Sequence, residues 1–312
     1  MKRTFLIIVL FIALIIGFII FYNSQSDRLG PYEKRIQDWH KIDRVGESQI
    51  AVVPIHGAIR ESSSFLSRSK ENASAENISQ LLYRIREDAS IKVVILDINS
   101  PGGSAYDSEV ISVAVDDLRD SGKTVYALLG SAAASGGYYI ASQAEKIFAS
   151  RLTMTGSIGV IMQIPNFSGI IDKYGISMIT ITTGKNKGIG SQFKPMTQEH
   201  EEILQNLANE TYHLFIDRVV KGRNMSPEKV TSLADGRPYY GAEALEKGLI
   251  DSIGGKEALR TEIEGLGLNA DVLVWYYPKK NKGLLKSLDF LSQSALELRG
   301  LLSSQSTVSI QY

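Results

Sequence analysis

Cysteine is absent from the 312 residues, which excludes disulfide scaffolds, thiolate zinc sites and cysteine nucleophiles together. A surplus of either charge is absent too, because 34 Lys and Arg balance 34 Asp and Glu. Zero net charge argues against nucleic-acid binding by bulk electrostatics, so no nucleic acid is expected as a partner. Histidine is scarce. His40, His56, His200 and His213 are scattered, none at metal-ligand spacing from another His or a carboxylate, and each reads as structural or solvated. No internal repeat is found, and the length suits one large domain or two small ones.

What is present begins at the N-terminus. Met1-Lys2-Arg3 precedes the uncharged run Phe5 to Tyr22, FLIIVLFIALIIGFIIFY. At about 1.5 Å per residue a helix of that length nearly crosses a hydrocarbon core of about 30 Å. A signal peptide has a shorter apolar region and ends in a small-x-small site, whereas this run ends in Phe-Tyr. The reading is a single-pass anchor over 1–23, N-terminus cytoplasmic by virtue of Lys2 and Arg3, with the domain that follows extracytoplasmic. A polar stalk is expected over 24–48.

Beyond it, apolar periodicity alternates between strand and helix. QIAVVPI (49–55) and IKVVILDI (91–98) read as strands, and so does TVYALL (124–129). AENISQLLYRIRED (75–88) and SEVISVAVDDLRDS (108–121) read as helices. Short strands are expected at KIFAS (146–150) and SIGVIM (157–162), a helix at 167–175, a strand at 177–183 and a long helix from Thr197 to Lys221. Strands alternating with helices predict an α/β fold with a largely parallel sheet. A domain over 49–269 is expected, followed over 270–312 by a strand (270–277) and an amphipathic helix (284–302).

Two glycine motifs fail on context. GLGLNA (265–270) has dinucleotide-binding spacing but precedes a strand, and GKNKGIG (184–190) lacks the phosphate-loop spacing. The stretch SAAASGGYY (131–139) is more informative. AASGG is one residue away from the nucleophile-elbow pattern G-x-S-x-G, and it falls where a strand should turn into a helix, with the helix running to about Gln143. If Ser135 attacks a carbonyl, the base is not the histidine of an α/β-hydrolase: the last His, His213, lies inside a helical pattern nearly 100 residues before the end. A desolvated lysine can serve instead, since burial lowers an amine pKa by up to about 3–5 units. Lys185, Lys187 and Lys194 are the candidates, and chemistry alone does not rank them. NSPGGS (99–104), at the carboxyl edge of the second strand, offers the amides of Gly102 and Gly103, and Gly136 offers another. Two such N–H groups facing a carbonyl make an oxyanion hole.

LDINSPGGS, SAAASGGYYIAS, TGSIGVI, TGKNKGIGSQFKPMT and ADGRPYYGAEALEKGLID, in this order, resemble the short form of the SppA family of membrane-anchored Ser/Lys peptidases. The resemblance covers about 49–260 and implies a ClpP/crotonase-like superhelix of β-β-α units. It implies Ser135 as nucleophile, Lys187 as general base, Ser157 as the residue orienting the lysine, and Gly102 and Gly136 as oxyanion hole. Gly188 and Gln192 depart from the family pattern and loosen the lysine loop. It further implies no metal or organic cofactor, extended apolar peptides such as remnant signal peptides as substrates, and a homo-oligomeric ring with active sites at subunit boundaries. The alternatives are a crotonase-like acyl-CoA enzyme and a catalytically silent membrane scaffold.

Overall fold

A computed structural model of the chain describes residues 49–60 and 73–275. The expected anchor, stalk and amphipathic helix at 284–302 lie outside the described residues. Among those described, no helix is long and apolar enough to cross a membrane.

The chain opens with β1 (Ile50–His56), β2 (Ile59–Arg60), β3 (Ala73–Ser74) and α1 (Ala75–Glu87). Next come β4 (Val93–Ser100), α2 (Ala105–Asp120), β5 (Thr124–Ala134) and α3 (Gly136–Ala141). Then follow β6 (Lys146–Ala149), β7 (Met154–Gly156), α4 (Ser168–Lys173), α5 (Gln198–Arg223) and α6 (Pro227–Leu233). The described part closes with β8 (Pro238–Tyr240), α7 (Gly241–Glu246), β9 (Ser252–Ile253), α8 (Gly255–Gly265) and β10 (Leu273–Trp275).

The sheet order is β10-β1-β4-β5-β6-β9, parallel throughout. Its inner strands are unbroken apolar runs because both faces are covered. Val94, Leu96 and Ile98 of β4 join the core shared with Leu82 of α1, Ile111 and Val115 of α2 and Ile140 of α3. Val93 and Ile95 point the other way, into a smaller core with Leu259 and Ile263 of α8. Helix starts are written in the sequence. Ser74 and Ser104 cap α1 and α2, their hydroxyls accepting the N–H of Asn77 and Asp107. Thr197 does the same for α5.

β5 is longer than its apolar pattern suggests. Its first half pairs with β6, its last three residues pair with β7, and β7 in turn pairs antiparallel with β8. One strand thus takes two successive neighbours along its length, and this mixed, mostly parallel sheet with its covering helices fits a ClpP-like fold. Two expected strands are corrected. The strand near 157–162 is β7, three residues earlier, because Met154–Gly156 finds both β5 and β8 as partners. Residues 177–183 alternate like a strand but form none, since no strand among the described residues lies beside them. Ile179 and Ile181 there are 84% and 93% exposed.

Candidate active site

Position 135 is where β5 ends and α3 begins. Ala132, Ala133 and Ala134 stay extended opposite Met154, Thr155 and Gly156, and the chain then turns within one residue. Ser135 has φ 51° and ψ −123°, a region that costs a residue with a Cβ about 1–3 kcal/mol and persists only where its surroundings impose it. Here they do. The Ser135 N–H donates to Gly156 O at 2.8 Å, and its carbonyl accepts from Tyr139 N at 2.8 Å.

The two tyrosines behind the serine hold the helix down. Tyr138 is fully buried and donates its hydroxyl to Leu249 O at 2.9 Å. Tyr139 donates to the Glu109 carboxylate, packs edge-on against Phe215, and lies under the Arg218 guanidinium. Burial, the larger cause in both, raises the two phenols well above the ordinary tyrosine range, and the Glu109 hydrogen bond adds to it at Tyr139. Both therefore stay protonated as donors, and α3 is fixed from two sides.

Three glycines bring a second loop onto this turn. Gly102 has φ +99°, and a Cβ there would lie 2.8 Å from both Ser135 Cβ and Gly136 N. A Cβ on Gly103 would lie 2.0 Å from Ile59 O, and one on Gly136 would lie 2.3 Å from Ser108 Oγ. Only glycine permits the loop 101–103 to sit this close. The amides of this loop are not equivalent. Pro101 has none, and the Gly102 N–H donates to Ser100 Oγ at 3.1 Å. The Gly102 amide, expected in the oxyanion hole, is thus turned inward, and Gly102 itself is buried. Gly103 is exposed, and its N lies 3.4 Å from where a Gly136 Cβ would stand. Among the described residues the Gly103 and Gly136 amides have no hydrogen-bond partner.

Ser157 lies one position past the Ala134–Gly156 pair, as Ser135 does on the other strand, and also has a positive φ, 49°. Its N–H donates to Arg237 O at 3.1 Å and its hydroxyl to Gly236 O at 3.2 Å. The oxygen of that hydroxyl keeps its capacity to accept. Lys187 is exposed in the turn that follows residue 184. Among the described residues its ammonium has no hydrogen bond or ion pair, and within one chain it is not joined to Ser135 or Ser157. Lys185, by contrast, pairs with Glu199 at 2.8 Å.

Sequence reasoning missed one pair. His56 Nε2 lies 3.1 Å from Asp97 Oδ2, which would be two thirds of a Ser-His-Asp arrangement. Strand parity keeps it from Ser135. The helix carrying Ser135 packs on the even-numbered side of β4, where Gly137 faces Ile98 Cγ2 and Ser100. Asp97 and Asn99 project from the opposite side, where Asn99 Oδ1 accepts from Ser131 Oγ at 2.9 Å. No group of three or more His, Cys, Asp or Glu that could hold a metal ion is found among the described residues.

A strained serine between strand and helix, with unengaged backbone amides in the adjoining loops, suits the class of serine hydrolases, and the α/β frame fits a ClpP-like fold. The particular family follows from likeness to known proteins. Residues 117–268 match peptidase family S49. The chain is 35% identical to "Putative signal peptide peptidase SppA" of Enterococcus faecium, over 83% of this chain and 74% of that protein. It is 38% identical to "Protease 4" of Haemophilus influenzae over 66% of this chain but 33% of that protein. It is 32% identical to "Serine protease SPPA, chloroplastic" of Arabidopsis thaliana, over 82% of this chain and 39% of that protein. The chain belongs to the SppA-type peptidases of family S49, and its chemical class is serine protease.

Proposed function

We propose that this chain is a membrane-anchored endopeptidase that hydrolyses extended apolar peptides, remnant signal peptides among them, with a Ser135/Lys187 dyad. The observation that carries the reading is the Ser135 turn, a strained serine to which no histidine among the described residues is hydrogen-bonded. Ser135 Oγ attacks the scissile carbonyl while the neutral Lys187 amine takes its proton. The carbonyl oxygen, now negative, accepts N–H bonds from Gly136 and from Gly103, the donor with a free amide in the glycine loop. Collapse expels the amine product, which leaves with the proton held by the lysine. Water then attacks the acyl-serine, with the lysine again as base, releasing the acid product and Ser135. Ser157 orients the amine. Its hydrogen goes to Gly236 O, so its oxygen accepts from the lysine and aims the amine lone pair at Ser135.

The base comes from a second copy of the chain. Supporting this, Lys187 stands exposed and unpaired, on a segment where Ile161, Ile179 and Ile181 are all more than 80% exposed. Leu207 and Leu214 on α5 are open as well. Exposed apolar surface of this extent marks an interaction face. A ring of identical subunits with head-to-tail contacts gives every site the same neighbour and covers these residues. Anchored through residues 5–22, such a ring would stand over the membrane and admit only unfolded or short peptides. No cofactor takes part.

Two experiments test the reading. In a peptide-cleavage assay, Ser135→Ala and Lys187→Ala each abolish hydrolysis with the fold intact, while Lys185→Ala has a mild effect. A dead Lys185→Ala beside an active Lys187→Ala would reassign the base. Co-assembled Ser135→Ala and Lys187→Ala chains should regain partial activity, since some boundaries pair an intact serine with an intact lysine. Verified mixed rings without activity would place the dyad within one chain.

A further inference from the structure

We propose that Ser100 is a positioning residue for the oxyanion hole, acting through the Gly102 amide. This rests on the reading of Ser135 as nucleophile and adds a residue to it. Ser100 ends β4 and is completely buried. The β4–β5 register shifts between Ile98 and Ser100, so that Ser100 stands opposite Ala133, two residues before the nucleophile. Its carbonyl lies 2.9 Å from where a Gly137 Cβ would be. Backbone and side chain of one residue therefore touch both halves of the site, the serine turn on one side and the glycine loop on the other.

The side chain selects which amide the loop presents. Residues 101–103 could offer two N–H groups, since proline has none. Ser100 Oγ accepts that of Gly102 at 3.1 Å, which turns it inward. The next peptide is then free to face outward. Ile59 completes the clamp from the far side, its N–H donating to Gly102 O at 3.0 Å and its carbonyl accepting from Ser104 N at 2.9 Å. Both bonds leave the Gly103 amide between them unengaged. Without the Ser100 hydroxyl, the Gly102 N–H is a buried donor with no acceptor. The loop can satisfy it only by rotating the 101–103 peptides, which withdraws the Gly103 donor from the place where the oxyanion forms.

A device of this kind has a signature different from loss of the base. Donors that act on the developing oxyanion serve the transition state and leave ground-state peptide binding unchanged. In Ser100→Ala, kcat falls by roughly tenfold or more, toward the about 100-fold loss typical of a missing oxyanion donor, and KM changes little. Affinity for a peptide boronic acid, whose tetrahedral adduct places an oxygen in the hole, falls by a similar factor. Affinity for a peptide with a CH2–NH group in place of the scissile amide, which puts no oxygen in the hole, stays level, and the pH profile of kcat/KM keeps its shape because the lysine is untouched.

The test uses the full chain in its assembled form, with two companions. Ser79→Ala removes another buried hydroxyl, which donates to Glu76 O at 3.1 Å within α1, and should leave kcat unchanged. Ser100→Cys keeps a weak acceptor and should fall between wild type and Ser100→Ala. Where Ser100→Ala does not fold, Ser100→Cys alone is read by the same measures. Wild-type kcat and boronate affinity in a folded Ser100 variant overturn the proposal. So does an equal loss of affinity for the boronate and for the CH2–NH peptide, or a displaced pH profile. Hydrolysis by Ser135→Ala would instead sink the nucleophile assignment beneath it.

Discussion

Replacing Gly102 with alanine puts one methyl group into the tightest approach in the site. The new Cβ would stand 2.8 Å from Ser135 Cβ and 2.8 Å from Gly136 N, with Ala134 O at 3.0 Å. Carbon atoms meet comfortably at about 3.5 Å, so the loop and the serine turn must part by roughly 0.7 Å. Two of the three neighbours are backbone atoms and the third is a Cβ, so no side-chain rotation relieves the clash. The φ of +99° adds strain of about 1–3 kcal/mol for any residue with a Cβ. For a domain of this size each kcal/mol lowers Tm by about 2–4 °C. A misplacement approaching 1 Å costs up to about 100-fold in rate, so the expected loss in kcat/KM is about 10–100-fold. Thermal unfolding and peptide cleavage on the same preparation measure both. Unchanged Tm and unchanged kcat/KM in Gly102→Ala would refute the packing of the glycine loop on Ser135 from which the site is built.

Alkaline pH probes a different part of the fold. Tyr126 is pushed up to about 12, first by burial and then by Glu262 and Glu145, whereas an unfolded tyrosine titrates near about 10. The folded state holds that proton more tightly, so its contribution is full below about pH 10 and is lost as pH climbs toward 12. Urea midpoints measured across that window should fall less steeply in Tyr126→Phe, and identical slopes would contradict the assignment.

The inner sheet was legible because burial on both faces writes continuous apolar runs, and β1, β4 and the start of β5 lie where those runs lie. The first two helices were legible from their period, although α2 begins three residues earlier than its apolar pattern, at the cap Ser104. The end of β5 was not. Ala132–Ala134 carries no alternation, and pairing with Met154–Gly156 on one side and with Ser100 of β4 on the other keeps it extended. Residues 177–183 failed in the opposite sense, with alternation but no partner strand. At the site, residue types and spacing drew attention to Ser135, Gly136 and the glycine pair. Which glycine amide is free depends on where the Ser100 hydroxyl points, and that is a matter of one side-chain torsion. The His56–Asp97 pair is the reverse case. Sequence separation hid it, and strand parity removes it from the chemistry.

The turn at Ser135 also bears on how inactive forms of this protein behave. At φ 51° and ψ −123° the residue best suited to the backbone is glycine, which reaches positive φ without steric cost. Ser135→Gly should therefore melt higher than the natural chain, whereas Ser135→Ala, which keeps a Cβ, should retain the strain and the working geometry. The natural serine is a poor conformational fit for its own site, held there by the strand before it and the tyrosine-anchored helix after it. An inactive trap meant to capture a bound peptide should accordingly be made with alanine, because glycine would let the turn relax and blur the very surface the peptide has to recognise.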